Sequence, residues 1–371
     1  MTPKNQKEEN SLISFGSGLS LFFIGLAIVG FLILLLPILS SWYNYSTLGS
    51  IGDTVGGLLN PIVGIAAALL TFLAFYVQYI ANQKVQRQLR MQQFESQFYE
   101  KVRLHKENIN EISVHGYELM RETTKTYVDE DAKTDERFKQ MTTSESQVAR
   151  FTRGRQLFER MFIEVTACYE LLEWLACKDD NHTCVYDEST LMQVAYRIVY
   201  YGINSYNNDV FEGIDDAAYI EKVKKDFNKK RKDHKASSGQ LNVFYGRWKE
   251  KGNPESKRTI RLYVKYKPFS GHEFHLGHYY RHLFSTVKYV VQQEGDLLHK
   301  VEVQEHLKTL RSQLSAAEQI MLYYHFRMDH AAEWETYLKD DYNMIENIPK
   351  ERLKYIETPE AYFKRSLLHH S

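Results

Sequence analysis

The chain has 371 residues, and its 47 Lys and Arg are matched by 47 Asp and Glu, so any strongly charged surface has to be local. Its three cysteines, Cys168, Cys177 and Cys184, are odd in number and form no C-x-x-C pair, which points to reduced structural thiols rather than a disulfide framework.

Two apolar runs come first, about 19–39 and 58–80, and neither contains Lys, Arg, Asp or Glu. Each is long enough to cross a hydrocarbon core of roughly 30 Å at about 1.5 Å per residue. The first run exceeds the apolar length of a signal peptide, and Pro37 to Tyr43 offers no small-x-small cleavage site, so it reads as an anchor. Lys4 and Lys7 precede the first run, Lys84, Arg87 and Arg90 follow the second, and the connector 40–54 has neither residue type. The positive-inside bias then puts both termini in the cytoplasm, with Trp42, Tyr43 and Tyr45 at the outer interface. The expected unit, residues 1–82, is a transmembrane hairpin.

Gly52, Gly56, Asn60, Gly64 and Ala68 recur every four residues, a small-residue stripe that lets helices approach closely in lipid. Pro61 suits a first helical turn capped by Asn60, which predicts a bent glycine-rich segment over 49–59. Asp53 is the single ionisable group between the spans. It reads as a solvated loop aspartate or, in an oligomer, as a ring at a pore mouth.

Helical spacing continues through Phe94, Phe98, Val102, Ile109 and Ile112, with a glutamine-rich polar face, and predicts a long juxtamembrane helix over 83–128. His105 falls on the apolar stripe as a core histidine. The segment 129–146 reads as an exposed connector opening the helical body, 129–371. Helices are expected over 151–177, through Leu157, Met161, Val165, Tyr169 and Leu172, and over 190–201 up to Gly202. A turn-rich linker, 204–216, follows, and helices resume at about 278–293, 301–311 and 316–337.

Between them lies a basic insertion, 222–267, where sixteen Lys and Arg stand against four Asp and Glu. Ile260, Leu262, Val264 and Tyr266 alternate with Arg261 and Lys265, a strand pattern, and 241–248 can pair with it across a turn at 249–257. A small basic β-hairpin presenting Arg247, Trp248, Arg258, Arg261 and Lys265 suits phosphate contact and stacking with nucleic acid, anionic lipid headgroups, or a plain solvated face.

The segment 271–282 holds four histidines. His275, His278 and His282 are candidate metal ligands by helical spacing, but position 279 is Tyr where an H-E-x-x-H helix needs Glu, and no third-ligand motif accompanies them, so no metal and no cofactor is expected. Arg281 and His282 invite comparison with HEPN-type ribonucleases, whose R-x4-6-H motif fails here because 286–288 are Thr, Val and Lys. No phosphate loop, nucleophile elbow or acid pair is present, and no catalytic residue is assigned.

Four blocks in order, 56–61, Phe98 with His105 and Asn108, 277–289, and 310–318, resemble the AbiC-like family of phage abortive-infection proteins. The resemblance implies antiphage defence in a bacterial inner membrane, with two spans and a helical cytoplasmic domain. It places His278, Arg281, His282, Lys288 and His105 in a signature cleft and supplies no catalytic mechanism. The fold expected is therefore mainly α, with a lipid bilayer, further copies of the chain, and a phage-derived trigger or nucleic acid as partners. In one reading the body senses infection and the spans perturb the membrane. In the alternative a tethered body binds or cuts nucleic acid.

Overall fold

A computed structural model describes residues 48–128, 138–177, 184–206, 208–237, 239–250, 253–328, 331–338 and 342–369, with 14, 16, 18, 19, 21–26, 28–30, 32 and 33. The fold is mainly α-helical, with two antiparallel two-stranded sheets. The chain divides into two units, Met1–Glu95 and Ser96–Ser371.

In the first unit the described residues before Leu48 are helical. A Cβ added at Gly16 would come within 2.9 Å of Leu73 Cδ1, so this segment runs beside the second apolar run. Trp42, Tyr43 and Tyr45 lie outside the described residues. Helix α1, Leu48–Glu111, starts well before Asn60 and carries Pro61 inside it, which corrects the expected bent segment. A proline in that place removes one backbone donor and crowds the carbonyl of residue i−4, here Gly57, at a cost of about 3 kcal/mol. Among the described residues one helix is long and apolar enough to cross a membrane, by length and composition.

In the second unit α1 ends at Glu111 instead of near Val128. The chain then enters β1, Ser113–Val128, which pairs with β2, Phe138–Arg153, from Ser113↔Arg153 to Val128↔Phe138. Thr123, Thr124, Thr126, Tyr127 and Val128 are β-branched or aromatic, and their strand preference ends the helical run. The second half of the expected connector, 138–146, is thus strand, and its first half, 129–137, lies outside the described residues.

Helix α2, Arg155–Ala176, is the centre of the body. Its expected stripe is buried, and so are Phe158, Phe162, Cys168 and Leu171, because α2 packs against α3 (Glu188–Tyr201), β4 (Asn253–Tyr263), α4 (Ala217–Ala236) and α7 (Ala316–Met328). Each large apolar side chain so enclosed contributes about 1.5–3 kcal/mol relative to exposure. Cys177 and Cys184 are disulfide-bonded across an isolated backbone bridge, which corrects the reading of three reduced thiols; Cys168 is free and buried.

The first part of the basic insertion is helical, another correction. Asp216 caps α4 by accepting from the N–H groups of Ala218 and Tyr219, and Tyr219, Val223 and Phe227 face the core at i, i+4, i+8. The hairpin follows as β3, Gln240–Glu250, paired with β4 through Gln240↔Tyr263 and Leu241↔Leu262. Its strands run on through Lys249↔Lys257 to Glu250↔Asn253, so most of the expected turn is strand. Ile260, Leu262, Val264 and Tyr266 are buried, Arg261 is exposed and Lys265 is half-buried.

Helices α5 (Glu273–Val291), α6 (Lys300–Arg311), α7, α8 (Ala331–Leu338) and α9 (Pro359–His369) complete the unit, with short 3-10 turns at Asn208–Phe211 and Lys350–Arg352. The single helix expected over 316–337 is two. Gly202 and Gly271, both at positive φ, let the end of α3 cross the approach to α5, and a Cβ at Gly271 would lie 2.5 Å from the Tyr201 carbonyl oxygen.

Leu283 is completely buried on α5, while Ser285 is exposed. Leu283→Asp is expected to remove the protein from cells, because a buried unpaired carboxylate costs several kcal/mol (roughly the largest class of single-site effect). Ser285→Asp is expected to leave abundance unchanged; immunoblotting of membranes compares them.

Candidate functional site

The α5 helix is positioned by a buried carboxyl. Glu164 of α2, with no exposed surface, accepts from Tyr266 Oη at 2.8 Å, from the Phe269 N–H, and pairs with His272 Nε2 at 2.9 Å. Phe269 has φ 56, a left-handed conformation uncommon for a bulky residue. Both of its backbone groups are engaged: the N–H by Glu164, the carbonyl by Ile203 N–H at 3.0 Å. The His272 N–H donates to Val199 O and Tyr200 O, and His272 precedes α5 as its N-cap residue. Burial, then Glu164, holds the Tyr266 hydroxyl far above the ordinary phenol range.

A second buried carboxyl, Glu318, holds the middle of α5. It accepts from Tyr279 Oη at 3.0 Å and from Ser315 N–H at 2.8 Å, with Arg155 Nε at 3.5 Å. Ser315 returns a bond to the Glu318 N–H at 3.3 Å, so the same carboxyl caps α7 and anchors α5. Burial and then Glu318 raise the Tyr279 hydroxyl likewise.

Outside these anchors, a cleft of about 680 Å³ opens between the end of α1 and the first half of α5, lined by Asn108, Glu111, Glu273, His275, His278 and Arg281. Phe274 stands at its rim, 86% exposed, and Tyr279 reaches it from below. Beneath α5 the ring of His105 lies 5.1 Å from Tyr279 and stacks at 6.0 Å on His282. His105 is completely buried, and neither ring nitrogen has a hydrogen-bond partner. Burial pushes its pKa down to about 4, with His282 and Arg155 adding to the effect. Burial also lowers His275, helped by His272, and His282, helped by Lys101 and His278. The cleft therefore combines imidazoles, the fixed charge of Arg281 and two rim carboxyl groups, a set suited to recognising a mixed polar ligand.

Of the residues singled out in sequence, His278 and Arg281 line the cleft, His282 is half-buried beside it, and His105 forms its underside. Lys288 is exposed on α5 and does not line it. Asp53, Asn60, Gly64 and Ala68 are exposed, and added Cβ atoms at Gly56 and Gly64 would meet nothing within 4 Å. Gly52 belongs to α1, and the side chains of Arg247, Trp248 and Arg258 lie outside the described residues. Among the described residues no three His, Cys, Asp or Glu side chains are grouped to hold a metal, so His275, His278 and His282 do not form such a set. Sequence reasoning missed Glu164, His272 as its partner, and the cleft positions of Glu111, Glu273 and Phe274. An acid on the apolar stripe of α2 was the available signal for Glu164.

Residues 271–353 match the model of a family described as putative phage abortive infection protein. No curated protein and no solved structure matches the chain. The matched segment contains α5, both cleft histidines, Arg281 and Glu318, whereas Asn108, Glu111 and Glu164 fall before it.

His105 gives the body an acid sensitivity of definite sign. Its folded pKa is about 4 against an ordinary 6.5, so between these values the unfolded chain binds the additional proton and folding stability falls as pH drops through that window. His234, also pushed down to about 4 by burial, acts in the same direction. Denaturant unfolding of the detergent-solubilised chain at pH 7.5 and pH 5 is expected to show His105→Phe losing about 2 kcal/mol less than wild type on acidification. Equal losses would assign the sensitivity elsewhere.

Proposed function

We propose that this protein is a membrane-anchored effector of abortive infection, whose body responds to a phage-derived trigger and whose spans perturb the bacterial inner membrane. The family match over 271–353 supports the defence role. One observation carries the membrane reading: large apolar side chains of α1, among them Val63, Ile65, Phe72 and Phe75, are 48%, 53%, 70% and 64% exposed, and a surface of that kind needs a cover. The first apolar run, with Gly16 beside Leu73, supplies the second leg of a hairpin. The charge bias of the flanks orients both termini to the cytoplasm.

The small-residue stripe Gly56, Asn60, Gly64 and Ala68 suits packing against further copies of the chain, since a Cβ added at Gly56 or Gly64 would meet nothing within 4 Å among the described residues. Asp53 then joins its equivalents near the membrane surface. The Cys177–Cys184 bond stands against a reducing compartment. Both residues are half-buried, within reach of reductant.

A potential-sensitive dye in phage-infected cells tests the reading against its competitor, a tethered body that acts on nucleic acid. Wild-type cells are expected to depolarise before phage release. Gly64→Leu is expected to abolish both depolarisation and protection at equal abundance, while His278→Ala combined with His282→Ala leaves the leak, once triggered, intact. Protection without depolarisation would contradict the membrane role.

A further inference from the structure

We propose that a second, cationic cleft in the body binds the phosphate groups of a nucleotide-sized anion. The cleft has a volume of about 810 Å³, within the range of small-ligand sites. One wall is a face of α4, where Asn228, Arg231, Lys232 and Lys235 recur at i, i+3, i+4 and i+7. Lys267, from the loop leading to α5, and Asn204 complete that side. Among the described residues the lining holds four cations and no Asp or Glu, and the acids of α4, Glu221, Asp226 and Asp233, are not part of it. Cations converging on one concavity repel one another unless an anion sits between them.

The donors are held in place before any ligand arrives. Arg231 is aimed by two contacts, Nη1 to Asn228 Oδ1 at 3.1 Å and Nη2 to Ser270 Oγ at 3.2 Å. Asn228 and Asn204 exchange side-chain hydrogen bonds at 3.2 Å in each direction, and Asn228 also donates to Lys224 O. A guanidinium so fixed presents its donor fork in one direction, the arrangement that suits bidentate contact with phosphate oxygens.

The opposite wall is the start of β1, where His115 and Gly116 close the cleft. Gly116 bridges to Tyr266, and any side chain there would overlap the Lys265 carbonyl oxygen, so this wall depends on glycine. Among the described residues no Phe, Tyr or Trp lines the cleft. Single-stranded nucleic acid is gripped by stacking its bases on such rings, so a phosphate-binding cleft without them favours a small phosphorylated ligand. The inference stands independently of what the spans do.

Binding of inorganic pyrophosphate and of ATP to the full chain in detergent micelles, read by titration calorimetry at low and high salt, tests this. Both probes are expected to bind in competition, and Lys232→Ala combined with Lys235→Ala, two exposed positions, is expected to weaken them at least about tenfold. Lys229→Ala, exposed on α4 but outside the cleft, is expected to leave affinity unchanged. Absence of saturable binding by wild type would overturn the proposal. So would equal loss in the Lys229 variant, or tight binding of a single-stranded oligonucleotide that ATP does not displace.

Discussion

Everything that surrounds the α5 cleft depends on where the carboxyl of Glu164 sits. It is buried without exposed surface in the central helix, and its oxygens are taken up by a phenol, a backbone N–H and an imidazole from one short stretch, Tyr266 to His272. Removing one partner from such a group leaves a desolvated acceptor, at about 1–3 kcal/mol or more. The same stretch carries Phe269 in a left-handed conformation and ends at the glycine crossing of Gly202 and Gly271. The hairpin and the α5 helix therefore leave the core in fixed directions.

From that anchor the body's features follow in sequence. Glu318 holds the middle of α5 through Tyr279 and caps α7, and the rings of His105 and His282 close the underside. The end of α1 belongs to this packing: Phe98 meets His306 edge-on at 5.0 Å, and Gln97 accepts from Tyr289 Oη at 2.8 Å. One unbroken helix, Leu48–Glu111, thus contains both the exposed apolar run and residues buried beneath the family-matched segment. In the proposed function, a response of the body to its trigger passes to the apolar run along α1, the helix that both share.

Sequence patterns gave reliable guidance where a single period extended over several turns or a strand's length. The stripe of α2 and the alternation from Ile260 to Tyr266 are in the structure as read. His105 is the core histidine its spacing suggested. Failures came where two preferences competed. The helical spacing up to Ile112 concealed the β-branched run that becomes β1, and the dense charge of α4 concealed Tyr219, Val223 and Phe227. Pro61 was read as a helix start, yet the helix runs through it. The partners of Glu164 were hidden for a different reason: they are 102 to 108 positions away, and no local pattern announces such a contact. The Cys177–Cys184 bond likewise depends on the chain reversal between α2 and α3.

The proposed function requires the body to act on the membrane through α1, and a break in that helix separates the two. A short Gly-Ser insertion after Gln88, in the polar part of α1, uncouples the two ends without touching the apolar run or the cleft. Depolarisation during infection, measured at matched abundance and membrane localisation, is expected to disappear in this variant. Full depolarisation and full protection with the insertion in place would contradict the account.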